Sequence, residues 1–117
     1  MTFESFRTYC LAKKGVTEET PFGPDALVYK VAGKMFALTG FDARPIRVNL
    51  KCDPERAIEL RERYESVLPG YHMNKTHWNT VVCDGGIPDD EVRELIDHSY
   101  ELVVASLKKA DRDALRD

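Results

Sequence analysis

Between Pro69 and Val82 the chain reads PGYHMNKTHWNTVV, which gathers two histidines, a lysine, two asparagines, a tyrosine and the only tryptophan without one acidic residue. These side chains suit an anion: imidazole and ammonium attract negative charge, amides donate hydrogen bonds, and aromatic rings offer flat faces. Metal chemistry asks instead for ligands converging at short, regular spacing. His72 and His77 are five positions apart, His98 stands far along the chain, and Cys10, Cys52 and Cys83 are widely separated, so no metal site is assigned. The sequence carries no nucleophile elbow, no phosphate-cradling glycine loop and no carboxylate pair whose placement can be argued. Cys83 follows a β-prone run and would need a base to act as a nucleophile, so a buried thiol is expected. No catalytic residue and no cofactor are assigned, and the residues support a binding domain rather than an enzyme. A constellation assembled from distant positions would be invisible at this level.

The charge pattern extends the anion reading. Residues 30–51 place Lys30, Lys34, Arg44, Arg47 and Lys51 against a single acid, Asp42, and residues 66–83 add Lys75 with no acid at all. Those two stretches carry a net charge of plus five, which, with −3 overall, leaves minus eight for the remainder. A basic sheet between acidic helices, with Tyr71, His77 and Trp78 as stacking surfaces, is what a nucleic-acid binder working through a sheet face requires. Its candidate contact residues are Lys30, Lys34, Arg44, Arg47, Lys51, His72, Asn74, Lys75, His77 and Asn79. Against it, an isoelectric point near 5.6 is low for a domain that lives on phosphate contacts, which usually lies above about 9. The same cations could simply be the wet side of a strand. A different class of binder also fits: a protein-interaction or small anionic ligand domain using a groove around His72, Lys75 and His77.

These residues need elements to hold them. Thr2 is placed as an N-cap, with Phe3, Phe6 and Cys10 at helical spacing and Gly15 as a stop, so a helix is predicted from about Thr2 to Lys14. TEETPFGPD reads as loop. LVYKVAGKMFAL holds two β-prone runs around Ala32-Gly33-Lys34, a hairpin signal. In IRVNLK, Ile46, Val48 and Leu50 alternate with Arg47, Asn49 and Lys51, which predicts a strand buried on one side. Asp53-Pro54 reads as an N-cap followed by proline in the first helical position, with Ala57, Leu60, Arg61, Tyr64 and Leu68 on one face and a stop at Pro69-Gly70. WNTVVC is the next strand. Size and apolarity place Trp78, Thr80 and Val82 inward, and alternation then displays Lys75, His77 and Asn79. After Pro88, Val92, Leu95, Ile96, Ser99, Val103, Ser106 and Leu107 trace one helical face behind an acidic first turn, and residues 108–117 form a loosely held tail.

The order, roughly α-β-β-β-α-β-β-α, predicts an α+β fold: an antiparallel sheet covered by helices on one face. With 117 residues, 43% hydrophobic and 32% charged, the chain fits one domain spanning 1–117. No apolar run approaches the roughly 18 residues of a membrane span, and MTFESFRTYC lacks the pattern of a secretory signal. An odd number of scattered cysteines favours reduced, buried thiols and a cytosolic protein.

Four stretches in this order and spacing, TPFGPDALVYKVAGKMFAL, IRVNLKCDPE, PGYHMNKTHWNTV and IPDDEVRELIDHSYELV, resemble the YjbR/MmcQ family of small bacterial proteins over roughly residues 2–107. The most specific piece is Gly70-Tyr71-His72-Met73-Asn74-Lys75 leading to His77-Trp78. The resemblance implies a frataxin-like α+β fold, also described as a double-wing arrangement, and a DNA-binding role. By analogy with other users of that fold, the acids Asp89, Asp90, Glu91 and Glu94 could attract a hard cation. Acids at a helix N-terminus already have a sufficient structural reason.

Overall fold

The computed structural model describes residues 1–40, 44–71 and 73–115. Thr2 starts α1 (Phe3–Leu11) with a reciprocal cap: its hydroxyl accepts from the Ser5 N–H at 3.1 Å, and the Ser5 hydroxyl accepts from the Thr2 N–H at 3.0 Å. Phe6 and Cys10 on this helix are buried. β2 (Ala26–Val31) and β3 (Lys34–Gly40) meet through a two-residue turn in which Ala32 and Gly33 both take positive φ, 49° and 78°. That geometry matches the twist of the flanking strands. β4 (Arg47–Lys51) follows the expected alternation, with Ile46, Val48 and Leu50 only 2%, 0% and 2% exposed. Asp53 accepts from the Arg56 N–H and caps α2 (Pro54–Arg63).

Two edge strands depart from the sequence reading. Val16–Glu19, whose last three residues open the expected TEETPFGPD loop, forms β1 and pairs with β2 alone. Tyr64, expected on the face of α2, is instead its extended C-cap, and Leu68 belongs to β5 (Val67–Pro69). Strands of four and three residues leave too little alternation to detect. β6 (Trp78–Val82) and α3 (Asp89–Ala105) complete the main layers, and α4 (Lys109–Ala114) follows. Leu115 packs partly buried against the core beside Gly15.

The six strands lie in the order β1-β2-β3-β4-β6-β5, every neighbouring pair antiparallel. α1, α2 and α3 cover one face: α3 packs on β2, β3 and β4, α2 on β5 and β6, and α1 on β1. This is the α+β sandwich expected from the sequence. Phe6 stands edge-on to Tyr29, and Phe36 edge-on to Tyr100.

Ser99, fully buried on α3, joins the helix to the sheet where a ladder ends. An irregularity at Tyr29/Lys30 leaves Phe36 without a partner in β2, and the β3–β4 pairing starts only at Ala37 and Leu50. The Ser99 hydroxyl donates to the Phe36 carbonyl and accepts from the Lys51 N–H at 2.9 Å.

The orientation of β6 is the reverse of the one expected. Its register sets Arg47 opposite Val82, Asn49 opposite Thr80 and Lys51 opposite Trp78. Opposed residues share a face, so Trp78, Thr80 and Val82 lie on the helix-free side, while Asn79 and Val81 face the helices. The expectation rested on ring size. The pairing with β4 and β5 instead sets Val81 beside Val48 and Val67, all three at most 2% exposed. Trp78 is buried nonetheless, at 9% exposure, but stands outside the core cluster that the helices close. The main chain of Gly70 lies against it. Gly70 donates to the Trp78 carbonyl at 2.9 Å, and a Cβ at Gly70 would come 2.9 Å from that of Trp78.

Cys10 and Cys52 are buried and Cys83 is half-buried, all unpaired. Burial raises the Cys10 thiol pKa to about 12 and those of Cys52 and Cys83 to about 11. Among the described residues no helix is long and apolar enough to cross a membrane.

Candidate binding face

The helix-free face of the sheet holds part of the expected cation set. Arg47 is exposed and Lys51 half-buried at the two ends of β4, and neither side chain has a hydrogen bond or ion pair among the described residues. Lys30 shares that face but is tied to Glu19 on β1 at 3.3 Å. Lys34 turns the other way. Its Nζ lies 3.4 Å from the Ser106 carbonyl and 3.5 Å from the Ser106 hydroxyl, where it complements the negative end of α3. Arg44 is exposed just ahead of β4. The five central cations therefore do not converge as one patch.

The loop from Gly70 to His77 places the rest. Tyr71 is 63% exposed, and the Lys75 ammonium sits 5.1 Å from its ring centroid. Asn74 is a turn former: its Oδ1 accepts from the Thr76 N–H at 2.9 Å and its carbonyl from the His77 N–H at 3.1 Å. His77 is exposed, and its carbonyl accepts from the Cys52 N–H at 2.7 Å. His72 lies outside the described residues.

Asn79, expected on display, is only 2% exposed. Its Oδ1 accepts from Arg61 Nε at 2.7 Å, and its Nδ2 donates to the Ala57 carbonyl at 3.2 Å. Arg61 also donates to the Lys75 carbonyl. Asn79 thus ties β6 to α2, because the reversed β6 turns it toward the helices, and Arg61 carries the link on to the loop. Of the residues expected to form a groove, Lys75 borders a depression of about 190 Å³ together with Pro54, Ile58, Arg61 and Thr76 among the described residues.

Two further recesses lie on the helix-free face and meet at Asn49. Arg47, Asn49, Leu68, Pro69, Tyr71 and Thr80 line one of about 140 Å³. Phe22, Ala26, Met35, Leu38, Asn49 and Met73 line the other, about 350 Å³. Among the described residues, no lining residue of either is acidic. Thr80 donates to Asn49 Oδ1 at 2.6 Å, which leaves the Asn49 amide hydrogens without an acceptor among the described residues. Sequence reasoning missed the apolar recess. Leu38 could have been flagged by its alternation with Ala37 and Thr39, whereas Phe22 and Met73 stand in loops and carry no periodic signal. Among the described residues, no group of three or more His, Cys, Asp or Glu could hold a metal ion.

The YjbR family model matches residues 11–102. The chain belongs to the YjbR family. It is 36% identical over 115 residues to the protein YjbR of Escherichia coli K12, covering 98% of each chain. It is 40% identical to YyaQ of Bacillus subtilis over 76 residues, 65% of this chain and 63% of that one. Both relatives are described as uncharacterised. Among solved structures, the DUF419 domain protein DR2400 of Deinococcus radiodurans superposes with a TM-score of 0.93 at 41% identity, over 97% of this chain and 87% of its own. A Pseudomonas syringae protein gives a TM-score of 0.75 at 29% identity, over 87% and 98%. The YjbR match takes in all six strands and α2, so the helix-free face lies within the family domain.

Proposed function

We propose that this YjbR domain is a small binding module whose helix-free sheet face takes nucleic acid. The observation that carries the reading is the pair Arg47 and Lys51, which among the described residues are unpaired and share a face with two recesses that have no acidic lining. Lys75 adds a third cation through Tyr71, which borders the Arg47 recess. Cations without an ion-pair partner draw a polyanion even on a protein of net negative charge, because the field close to the surface is set by the nearest groups. Three unpaired thiols fit a reducing compartment, and the cytosol is the natural one.

Titration of a labelled oligonucleotide against salt tests the reading. Three phosphate contacts give a log–log slope of about −2 for a single strand and about −2.7 for a duplex, and Arg47→Ala removes roughly one contact from either. Absence of binding at low salt overturns it. A second reading, a protein-interaction or small anionic ligand domain, is supported by Ile58, 53% exposed beside Arg61 and Lys75 in the α2 depression. Salt-insensitive binding lost on Ile58→Asp favours that one.

A further inference from the structure

We infer that the nucleic acid taken by this face is single-stranded, with one base held in the recess between Phe22 and Met73 and the adjoining phosphates on Arg47 and Lys51. The inference rests on the reading of the face as a nucleic-acid site. Phosphate tracking alone needs cations and no apolar recess. Yet a cavity of about 350 Å³ opens beside them, lined among the described residues by Phe22, Ala26, Met35, Leu38 and Met73 with a single amide, Asn49. That volume falls in the range of roughly 300–1,000 Å³ that small-molecule sites occupy, and such sites combine an apolar lining with a few placed polar groups.

Asn49 supplies the polar group. With its oxygen engaged by Thr80, its amide hydrogens are available to an acceptor on a base edge. It also borders the Arg47 recess, so one residue joins the apolar and cationic halves of the face. Phe22, 70% exposed, and Tyr71, 63% exposed, offer rings on which flat groups stack. A duplex cannot use these features, because its bases are already stacked and it would turn charged phosphates toward Phe22, Met35, Leu38 and Met73. A single strand can splay a base into the recess while its backbone stays on the cations.

The test compares three labelled ligands at one low salt concentration: a single strand of about 12 nucleotides, the same sequence as a duplex, and a single strand of equal length with abasic sites throughout. The expected result is that the single strand binds about tenfold tighter than either of the others. Phe22→Ala, a change at an exposed loop residue, should remove most of that advantage. Equal affinity for all three ligands, or tighter binding of the duplex, overturns the inference while the nucleic-acid reading stands. No binding by any of the three overturns the nucleic-acid reading itself, and the inference with it.

Discussion

Replacing Ser99 by alanine strips one oxygen from the interior and strands two backbone groups. The hydroxyl is fully buried between α3 and the sheet, donating to the Phe36 carbonyl and accepting from the Lys51 N–H. An unsatisfied buried polar group costs about 1–3 kcal/mol. Phe36 is fully buried, so its carbonyl carries the full cost, while Lys51 is half-buried and its N–H recovers part of the loss from water. The expected destabilisation is about 2–4 kcal/mol. Urea unfolding followed by the fluorescence of the single tryptophan, Trp78, reads it directly. With an m-value of roughly 1.5 kcal/mol/M, the midpoint should fall by about 1.3–2.7 M at unchanged slope. Amide exchange at Lys51 should also accelerate in the variant well beyond the global change. A midpoint shift below about 0.3 M, under roughly 0.5 kcal/mol, would refute the bridge and the reasoning built on it.

Asn79→Ala should cost about 2 kcal/mol by leaving Arg61 and the Ala57 carbonyl unanswered, whereas an asparagine on display would cost under about 0.5 kcal/mol, so thermal unfolding separates the two placements. Gly70→Ala should lose about 1–3 kcal/mol through overpacking, since its Cβ would press on Trp78, and a shift in the tryptophan emission should accompany the loss. His98 accepts from the Asp53 N–H at 3.1 Å, and burial first, then Arg56, lower its pKa below the ordinary value. The unfolded state therefore takes the proton first. Stability contributed by neutral His98 is full above about pH 6.5 and is lost as pH falls through the lower folded value; denaturation midpoints measured from pH 7 downward should fall less in His98→Gln than in the parent.

What could be read along the chain followed from how regular each signal is. IRVNLK has strict period-two alternation and disclosed both its strand and its buried side. Asp53-Pro54 disclosed a helix start, and the apolar stripe of α3 even included Ser99. β1 and β5 escaped because they are short edge strands, whose pairing partners rather than composition make them strands. The face of β6 escaped for a related reason: alternation divides a strand into two sets, and the register with a neighbour decides which set points inward. For the site, counting charge along the chain found Arg47 and Lys51 but could not foresee Glu19 beside Lys30 or the end of α3 beside Lys34. The apolar recess draws Phe22 and Met73 from distant loops, which no local window joins.

The two outermost strands also bear on how copies of the molecule meet at high concentration. A sheet with one side free of helices could grow by adding strands from a neighbour, since each rim offers unpaired backbone groups. Here one rim is β1, four residues carrying Glu18 and Glu19, and the other is β5, three residues ending in Pro69, which has no N–H to give. Short length, charged side chains and proline each discourage edge-to-edge addition. Addition of strands at the rims, the route by which a sheet propagates into fibres, is thereby disfavoured at both ends of this one.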